Sequence, residues 1–216
     1  MNTLIIPCAG RSSRYPNLRP KWLLTHPDGD LMLKKVINAL KFTHLDRIII
    51  TIIKEQCEKF EADLIIKQSL GDDIEICILD DYTSSQSETV YATIEKMKIN
   101  GSFIAKDSDS CVNIDIEKFT NFLVGADLRK HPEVTNVPSK SFLILNDQNI
   151  IVDIIEKSVC SNFINLGVYG FSSAEAFKKA YSKLKDISEE QQGEFWLSHI
   201  VSYLIGEGDF FDYYES

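Results

Sequence analysis

The sequence predicts an α/β protein with a mixed, mainly parallel central sheet flanked by helices, Rossmann-like in plan. Three observations carry that prediction. Short β-branched runs alternate with amphipathic stretches through the first half, at the spacing of strand–helix–strand crossovers. The 216 residues are 44% hydrophobic and 25% charged, an ordinary globular composition with enough apolar material for a sizeable core. A glycine-containing polar loop follows the first apolar run at once, where a strand of such a sheet presents its carboxyl end to ligands.

Residues 3–7 read as a short buried strand, broken at Pro7 and Gly10. The polar loop 8–30 follows, with Pro16, Pro20 and Pro27 inside it. Apolar positions return at helical spacing over 31–40, and the β-branched run 47–53 predicts a strand. An amphipathic helix is expected over 54–69, an alternating strand over 73–79, and a helix over 87–98 after the polar turn 80–86. A fourth strand near 103–105 runs into Lys106-Asp107-Ser108-Asp109. The second half is richer in strands, at 121–126, 141–145, 150–155 and 164–171, and two helices close it at 173–184 and 189–205. Segment 116–127 is ambiguous, because Ile116, Phe119 and Leu123 also fit one helical face. With domains of roughly 100–200 residues as the rule, one domain over 1–216 is expected.

The formal charge of −9 gives no general attraction to nucleic acid or anionic membranes, so neither is an expected partner. The five cysteines are dispersed, odd in number and without a C-x-x-C pair, which points to reduced thiols in a cytoplasm. No cleavable leader follows Leu4-Ile5-Ile6, and no apolar stretch approaches the ~20 residues that span a bilayer.

Against that acidic background, Arg11, Arg14, Arg19 and Lys21 form a local basic cluster in the loop Pro7-Cys8-Ala9-Gly10-Arg11-Ser12-Ser13-Arg14…Arg19-Pro20-Lys21. Gly10 lets the backbone approach a ligand, and consecutive N–H groups there can cradle phosphate oxygens. A solvated loop with surface arginines is the plainer alternative. The loop is neither G-x-x-x-x-G-K-[ST] nor G-x-G-x-x-G. Asp107 and Asp109, at i and i+2 after a buried strand, can address one divalent cation, for which magnesium's preference for oxygen ligands suits them; an exposed polar turn is the alternative. Ser85-Gln86-Ser87-Glu88-Thr89 opens a helix, with Ser87 as a simple N-cap the competing reading. Glu156-Lys157 by itself reads as a surface charge pair.

Taken together, Leu4-Ile5-Ile6-Pro7-Cys8-Ala9-Gly10-Arg11-Ser12-Ser13-Arg14…Pro20-Lys21-Trp22-Leu23-Leu24 resembles the opening signature of the sugar-phosphate nucleotidyltransferases, a GT-A-like α/β family. The resemblance implies that Cys8, Ala9, Gly10, Arg11, Ser12 and Ser13 contact the nucleotide, that Arg14 holds the triphosphate and that Lys21 bridges the α-phosphate. Ser12 stands where the family's second glycine is usual. Asp109 matches the metal ligand, with Asp107 as its understudy, and Gln86 a base contact. Val152-Asp153-Ile154-Ile155-Glu156-Lys157…Asn165-Leu166-Gly167-Val168-Tyr169-Gly170-Phe171 resembles the family's acceptor segment, which implies that Glu156, Lys157 and Asn165 bind the acceptor. Glu194, Asp209 and Asp212 are candidates for a second metal carboxylate.

What the resemblance implies is a Mg2+-dependent enzyme of cytoplasmic type that transfers a nucleotidyl group from a nucleoside triphosphate to a small phosphorylated acceptor and releases pyrophosphate. Residues 1–112 would hold nucleotide and metal, and 113–216 the acceptor. CTP is the favoured nucleotide, surface-polysaccharide precursors the favoured setting, and a homo-oligomer is possible. The rivals are a GT-A-type glycosyltransferase and a non-catalytic nucleotide-binding protein of the same fold.

Overall fold

The computed structural model of the protein describes residues 1–11, 18–191 and 195–216, with 187–191 described by their backbone alone. The first half runs β1 (Thr3–Pro7), α1 (Met32–Asn38), β2 (Leu40–Phe42), β3 (Arg47–Ile53), α2 (Lys54–Phe60), α3 (Ala62–Leu70), β4 (Glu75–Leu79), α4 (Gln86–Lys96) and β5 (Phe103–Lys106). The second runs β6 (Ile114–Ile116), β7 (Phe122–Asp127), β8 (Ser141–Leu145), β9 (Ile150–Glu156), β10 (Phe163–Phe171), α5 (Ala174–Gln191), α6 (Leu197–Gly206) and β11 (Phe211–Glu215). Single 3-10 turns form at Lys21–Leu23 and Val137–Ser139.

Nine strands make one sheet in the order β4-β3-β1-β5-β10-β7-β11-β9-β8. Parallel pairing is continuous only from β4 through β3 and β1 to β5; beyond β5 the sheet is mixed, with β7 and β11 parallel. β4, β3, β1 and β5 pair in parallel, while β10 runs antiparallel to both β5 and β7, and β9 antiparallel to β8 and β11. The reason is connectivity. Strands alternate with crossover helices up to β5, whereas β8, β9 and β10 follow one another through short turns, which antiparallel pairing permits.

Strand alternation sorts the core onto the two faces of the sheet. Ile5, Ile49, Phe103, Ala105 and Leu123 face α4, α5 and α6, where Val90, Phe177 and Leu204 cover them. Leu4, Ile6, Ile50, Ile52, Ile104 and Val124 face the other way, under Trp22, Leu33, Ile37, Ala62 and Ile66. Each large side chain closed off from water in this way contributes about 1.5–3 kcal/mol.

Three local expectations are corrected. The helix expected over 54–69 is two, α2 and α3, because Glu61 adopts the left-handed conformation at φ 54°. The helix after residue 31 stops at Asn38, since Leu40–Phe42 pairs with Ile114–Ile116 in a separate two-stranded sheet. The N-cap of α4 is Ser85, whose hydroxyl accepts from the Glu88 N–H at 3.1 Å, not Ser87. Beyond those, the closing segment Phe211–Glu215 forms β11, which inserts between β7 and β9.

Candidate active site

The carboxyl ends of β1 and β5, the middle of β10 and the start of α4 converge on one place. β1 and β5 are neighbours in the sheet and parallel, so the loops that leave their carboxyl ends emerge side by side. The first carries the basic cluster and the second the two aspartates. Their meeting is direct: Lys21 Nζ lies 3.1 Å from Asp109 Oδ2, across 88 residues of sequence. Lys21 is set there by the 3-10 turn it opens, in which the Leu23 N–H donates to the Pro20 carbonyl and Trp22 and Leu23 are buried.

The base of the loop is built into the sheet. The Cys8 N–H donates to the Thr51 carbonyl at 2.7 Å, and the Gln56 side-chain amide donates to the Cys8 carbonyl at 3.1 Å. Both backbone groups of Cys8 are thus engaged. Its side chain is buried, and burial pushes the thiol far up, with Ser108 opposing and Asp109 adding. Cys8 and Ala9 are thus buried at the base of the loop, and exposure begins at Gly10 and Arg11. The Arg11 guanidinium lies over the Tyr82 ring, 5.4 Å from its centroid. Ser12, Ser13 and Arg14 lie outside the described residues, as does Glu194.

The turn after β5 is tied down from several sides. The Asp107 N–H donates to the Gly167 carbonyl at 2.9 Å, and Gln86, at the first position of α4, donates its amide to Asp107 Oδ1 at 2.6 Å. Gly167 has φ 74°, and a Cβ there would stand 2.1 Å from Asp107 Oδ2, so only glycine lets β10 come this close. Lys106 is wholly buried beneath the turn and donates to the Asp107 carbonyl at 2.9 Å and to Ser110 Oγ at 2.7 Å. Burial lowers its proton affinity, while the carboxylates of Asp107 and Asp109 act in the other direction. For Asp107 burial raises the pKa, Lys106 and Gln86 oppose, and Asp109 and Glu156 add to the rise. Asp109 is exposed.

The second half brings in Glu156 and Lys157 at the end of β9. Glu156 Oε2 accepts from Ser141 Oγ at 2.6 Å and from Ser198 Oγ, in the first turn of α6, at 2.9 Å. Lys157 takes φ 52° and places its ammonium 4.1 Å from the centre of the Trp196 ring. Asn165 is buried on β10, its side-chain oxygen 3.4 Å from the Gly167 N–H. Burial, then Asp107 and Glu156, push the pKa of the Tyr169 hydroxyl upward.

Of the residues singled out from sequence, Lys21 with Asp109, and Gln86 with Asp107, are joined directly. Asp209 and Asp212 stand at the start of β11; the pairing of Asp212 with Phe122 and Ile150 puts it in the sheet, exposed. Lys106, Tyr82, Ser141, Gly167, Trp196 and Ser198 were not foreseen as parts of the site. Two signals were available: Gly167 stands in the segment Asn165-Leu166-Gly167-Val168-Tyr169, and Lys106 ends the apolar strand Phe103-Ile104-Ala105-Lys106.

Among the described residues no cluster of three or more His, Cys, Asp or Glu side chains forms. Asp107 and Asp109 nevertheless supply an all-oxygen donor set on one turn. Magnesium usually takes one or two carboxylates and completes its shell with phosphates and water, so these residues fit it.

The fold is that of the sugar-phosphate nucleotidyltransferases. No family model matches the chain, and no curated protein matches it in sequence. Solved structures do. The nucleoside-diphosphate-sugar pyrophosphorylase from Vibrio cholerae RC9 aligns over 99% of this chain and 91% of its own, with a TM-score of 0.78 and 18% identity. The inositol-1-phosphate CTP transferase from T. maritima aligns over 99% and 84%, at 0.65 and 15%. The CMP:2-keto-3-deoxy-manno-octonic acid synthetase complexed with CTP aligns over 100% and 89%, at 0.65 and 13%. At such identities the likeness is one of fold. Among the described residues no helix is long and apolar enough to cross a membrane.

Proposed function

We propose that this chain is a magnesium-dependent nucleotidyltransferase that joins a nucleoside monophosphate, from its triphosphate, to a small phosphorylated acceptor and releases pyrophosphate. One observation carries it: the lysine of the basic loop and the second aspartate of the D-x-D turn meet at 3.1 Å on adjacent carboxyl ends of the sheet. A polyphosphate and a divalent cation need those two groups side by side. The first half, 1–112, would hold nucleotide and metal, and 113–216 the acceptor.

The acceptor phosphate oxygen attacks the α-phosphorus in line, and the bond to the bridging oxygen of pyrophosphate breaks. The acceptor phosphate is ionised at neutral pH, so its attack requires no general base. What the chain must provide is position and neutralisation. Lys21 takes the α-phosphate charge, with Arg11, Arg14 and the Gly10–Ser13 backbone around the triphosphate. Gln86 meets the base edge. Asp107 and Asp109 would hold magnesium, which when bound neutralises charge on the phosphates. Glu156, Lys157 and Asn165 orient the acceptor. CTP is our first choice of nucleotide, supported by two neighbours of the fold that are described with CTP. A sugar or polyol phosphate destined for surface polysaccharide is our choice of acceptor, and the cytoplasm, with its reduced thiols, our choice of compartment.

The test is a screen of the four nucleoside triphosphates against a panel of sugar, polyol and amino-alcohol phosphates, with and without magnesium, reading pyrophosphate. Release only with metal and acceptor together supports the assignment. No release from any combination overturns it.

A further inference from the structure

Within β3 the run Ile48-Ile49-Ile50-Thr51-Ile52-Ile53 breaks its isoleucines once, with a hydroxyl at a wholly buried position. Packing gives no reason for it, since a hydroxyl closed off from water is a cost unless it is bonded. Thr51 is bonded through backbone and side chain alike. Its carbonyl accepts the Cys8 N–H at 2.7 Å, at the base of the basic loop. Its hydroxyl oxygen lies 2.6 Å from that of Thr93, equally buried on α4. Thr93 donates its one hydroxyl proton to the Thr89 carbonyl at 2.7 Å, so Thr51 is the donor in the Thr51–Thr93 bond. Cys77 on β4 lies against the same two hydroxyls, but a thiol is too weak a partner to replace either. We infer that Thr51 and Thr93 are positioning residues: their bond fixes the rotation of α4 about its axis, and Gln86, at the head of that helix, thereby aims the Asp107 carboxylate. What Asp107 binds rests on the proposed function; the linkage to it does not.

Gln86 and Thr93 are separated by about two helical turns, so both stand on one stripe of α4, roughly 10 Å apart along its axis. Val90 and Ile94 hold the helix against the sheet, but apolar contact is non-directional and leaves the helix free to turn. A hydrogen bond is directional and does not. With side-chain tips about 5–6 Å from the helix axis, a rotation of about 20° carries Gln86 about 2 Å. That is enough to break its 2.6 Å bond to Asp107 Oδ1. Thr83, whose hydroxyl lies 2.6 Å from that of Thr89, ties the helix only to the turn just before it, whereas Thr51 ties it to the sheet. Thr51 thus sets the two loops of the candidate site against each other. It holds the base of the loop after β1 through its carbonyl, and the turn after β5 through Thr93, α4 and Gln86.

Thr51→Val, Thr93→Val, the double variant and Thr93→Ser test this in the full chain. The readout is the side-chain amide signal of Gln86 in heteronuclear NMR spectra, identified by its loss in Gln86→Leu. Either valine variant should shift that signal, and Thr93→Ser, which keeps the hydroxyl, should leave it in place. Calorimetric titration with Mn2+ reads the consequence at Asp107. Each valine variant should weaken binding by about three- to ten-fold, less than the roughly 10–100-fold that follows loss of a ligand's own hydrogen-bond partner. In a Gln86→Leu background the same substitutions should change nothing further, because the route through Gln86 is already cut. The double variant separates positioning from stability. With both hydroxyls gone no buried group is left unpaired, so it should melt like wild type and still shift the Gln86 signal. A double variant with the Gln86 signal at its wild-type position overturns the inference, and so does a Mn2+ loss of the same size with and without Gln86. Failure of the proposed function is read separately: wild type then binds no Mn2+ and releases no pyrophosphate, while the amide signal still decides what the threonines do.

Discussion

At Lys21 an exposed side chain carries a large functional expectation and a small structural one. Lys21→Ala removes one preorganised contact to the reacting phosphate and should lower the rate by about 10²–10³-fold. Its melting temperature should match wild type, because the lost ion pair is solvent-screened. A variant with near wild-type kcat sinks the assignment of Lys21. Gly167 is the reverse case. Gly167→Ala forces a Cβ to 2.1 Å from Asp107 Oδ2 at a φ of 74°, so it should destabilise the protein by about 1–3 kcal/mol and displace Asp107. Gly208→Ala is the control, since it has φ 103° but open space around its Cβ. Chemical denaturation and Mn2+ titration of both variants decide this, and equal effects on metal affinity would mean that Gly167 is only a turn residue. At Lys157, whose ammonium lies on Trp196, alanine should raise the acceptor KM and leave nucleotide affinity unchanged. A matching loss of nucleotide affinity would show that the two halves do not divide the substrates.

At the scale of elements, the parallel edge of the sheet offers a pH signature. The Arg47 guanidinium on β3 grips Glu75 on β4 through two bonds, at 2.6 and 2.7 Å. Arg47 holds the Glu75 carboxyl below its ordinary value of 4.5, with burial opposing. A carboxyl whose folded pKa is depressed contributes stability that is fully present above the unfolded pKa. That contribution is lost as pH falls through the folded pKa. The protein should therefore lose stability progressively below about pH 4.5. Glu75→Gln should flatten that part of the profile and cost on the order of 1 kcal/mol at neutral pH. Melting curves from pH 3 to 7 check it, and an unchanged slope in the variant would mean that other carboxylates carry the acid loss. These pairings were only partly legible. β1, β3, β4 and β5 could be read because β-branched runs and crossover spacing report strands directly. The break at Glu61 could not, because nothing local marks a non-glycine residue for the left-handed conformation.

At the scale of the whole molecule, the last strand closes the sheet. β11 is bonded to β7 on one side and β9 on the other, and Phe211 is wholly buried against Phe171. Ending the chain at Gly208 should therefore unfold the second half, and Phe211→Ala alone should cost about 3–5 kcal/mol. Circular dichroism and denaturant titration test both, and a truncated chain that melts like wild type would show β11 to be dispensable. The sequence by itself determined the alternation of strands and helices in the first half, the basic loop and the D-x-D turn. Each is a local pattern, set by the two-residue period of a strand or by charge concentrated between apolar runs. Only the tertiary structure decided that antiparallel pairs enter the sheet after β5, and that Phe211–Glu215 is an interior strand. It alone also showed Lys106 lying buried under the aspartates, Ser141 and Ser198 converging on Glu156, and Lys21 meeting Asp109. Several of those contacts join segments far apart in sequence, such as the 42 residues that separate Glu156 from Ser198 and the 88 that separate Lys21 from Asp109. A sequence pattern reports what each residue prefers along its own segment, whereas packing decides which distant segment it meets.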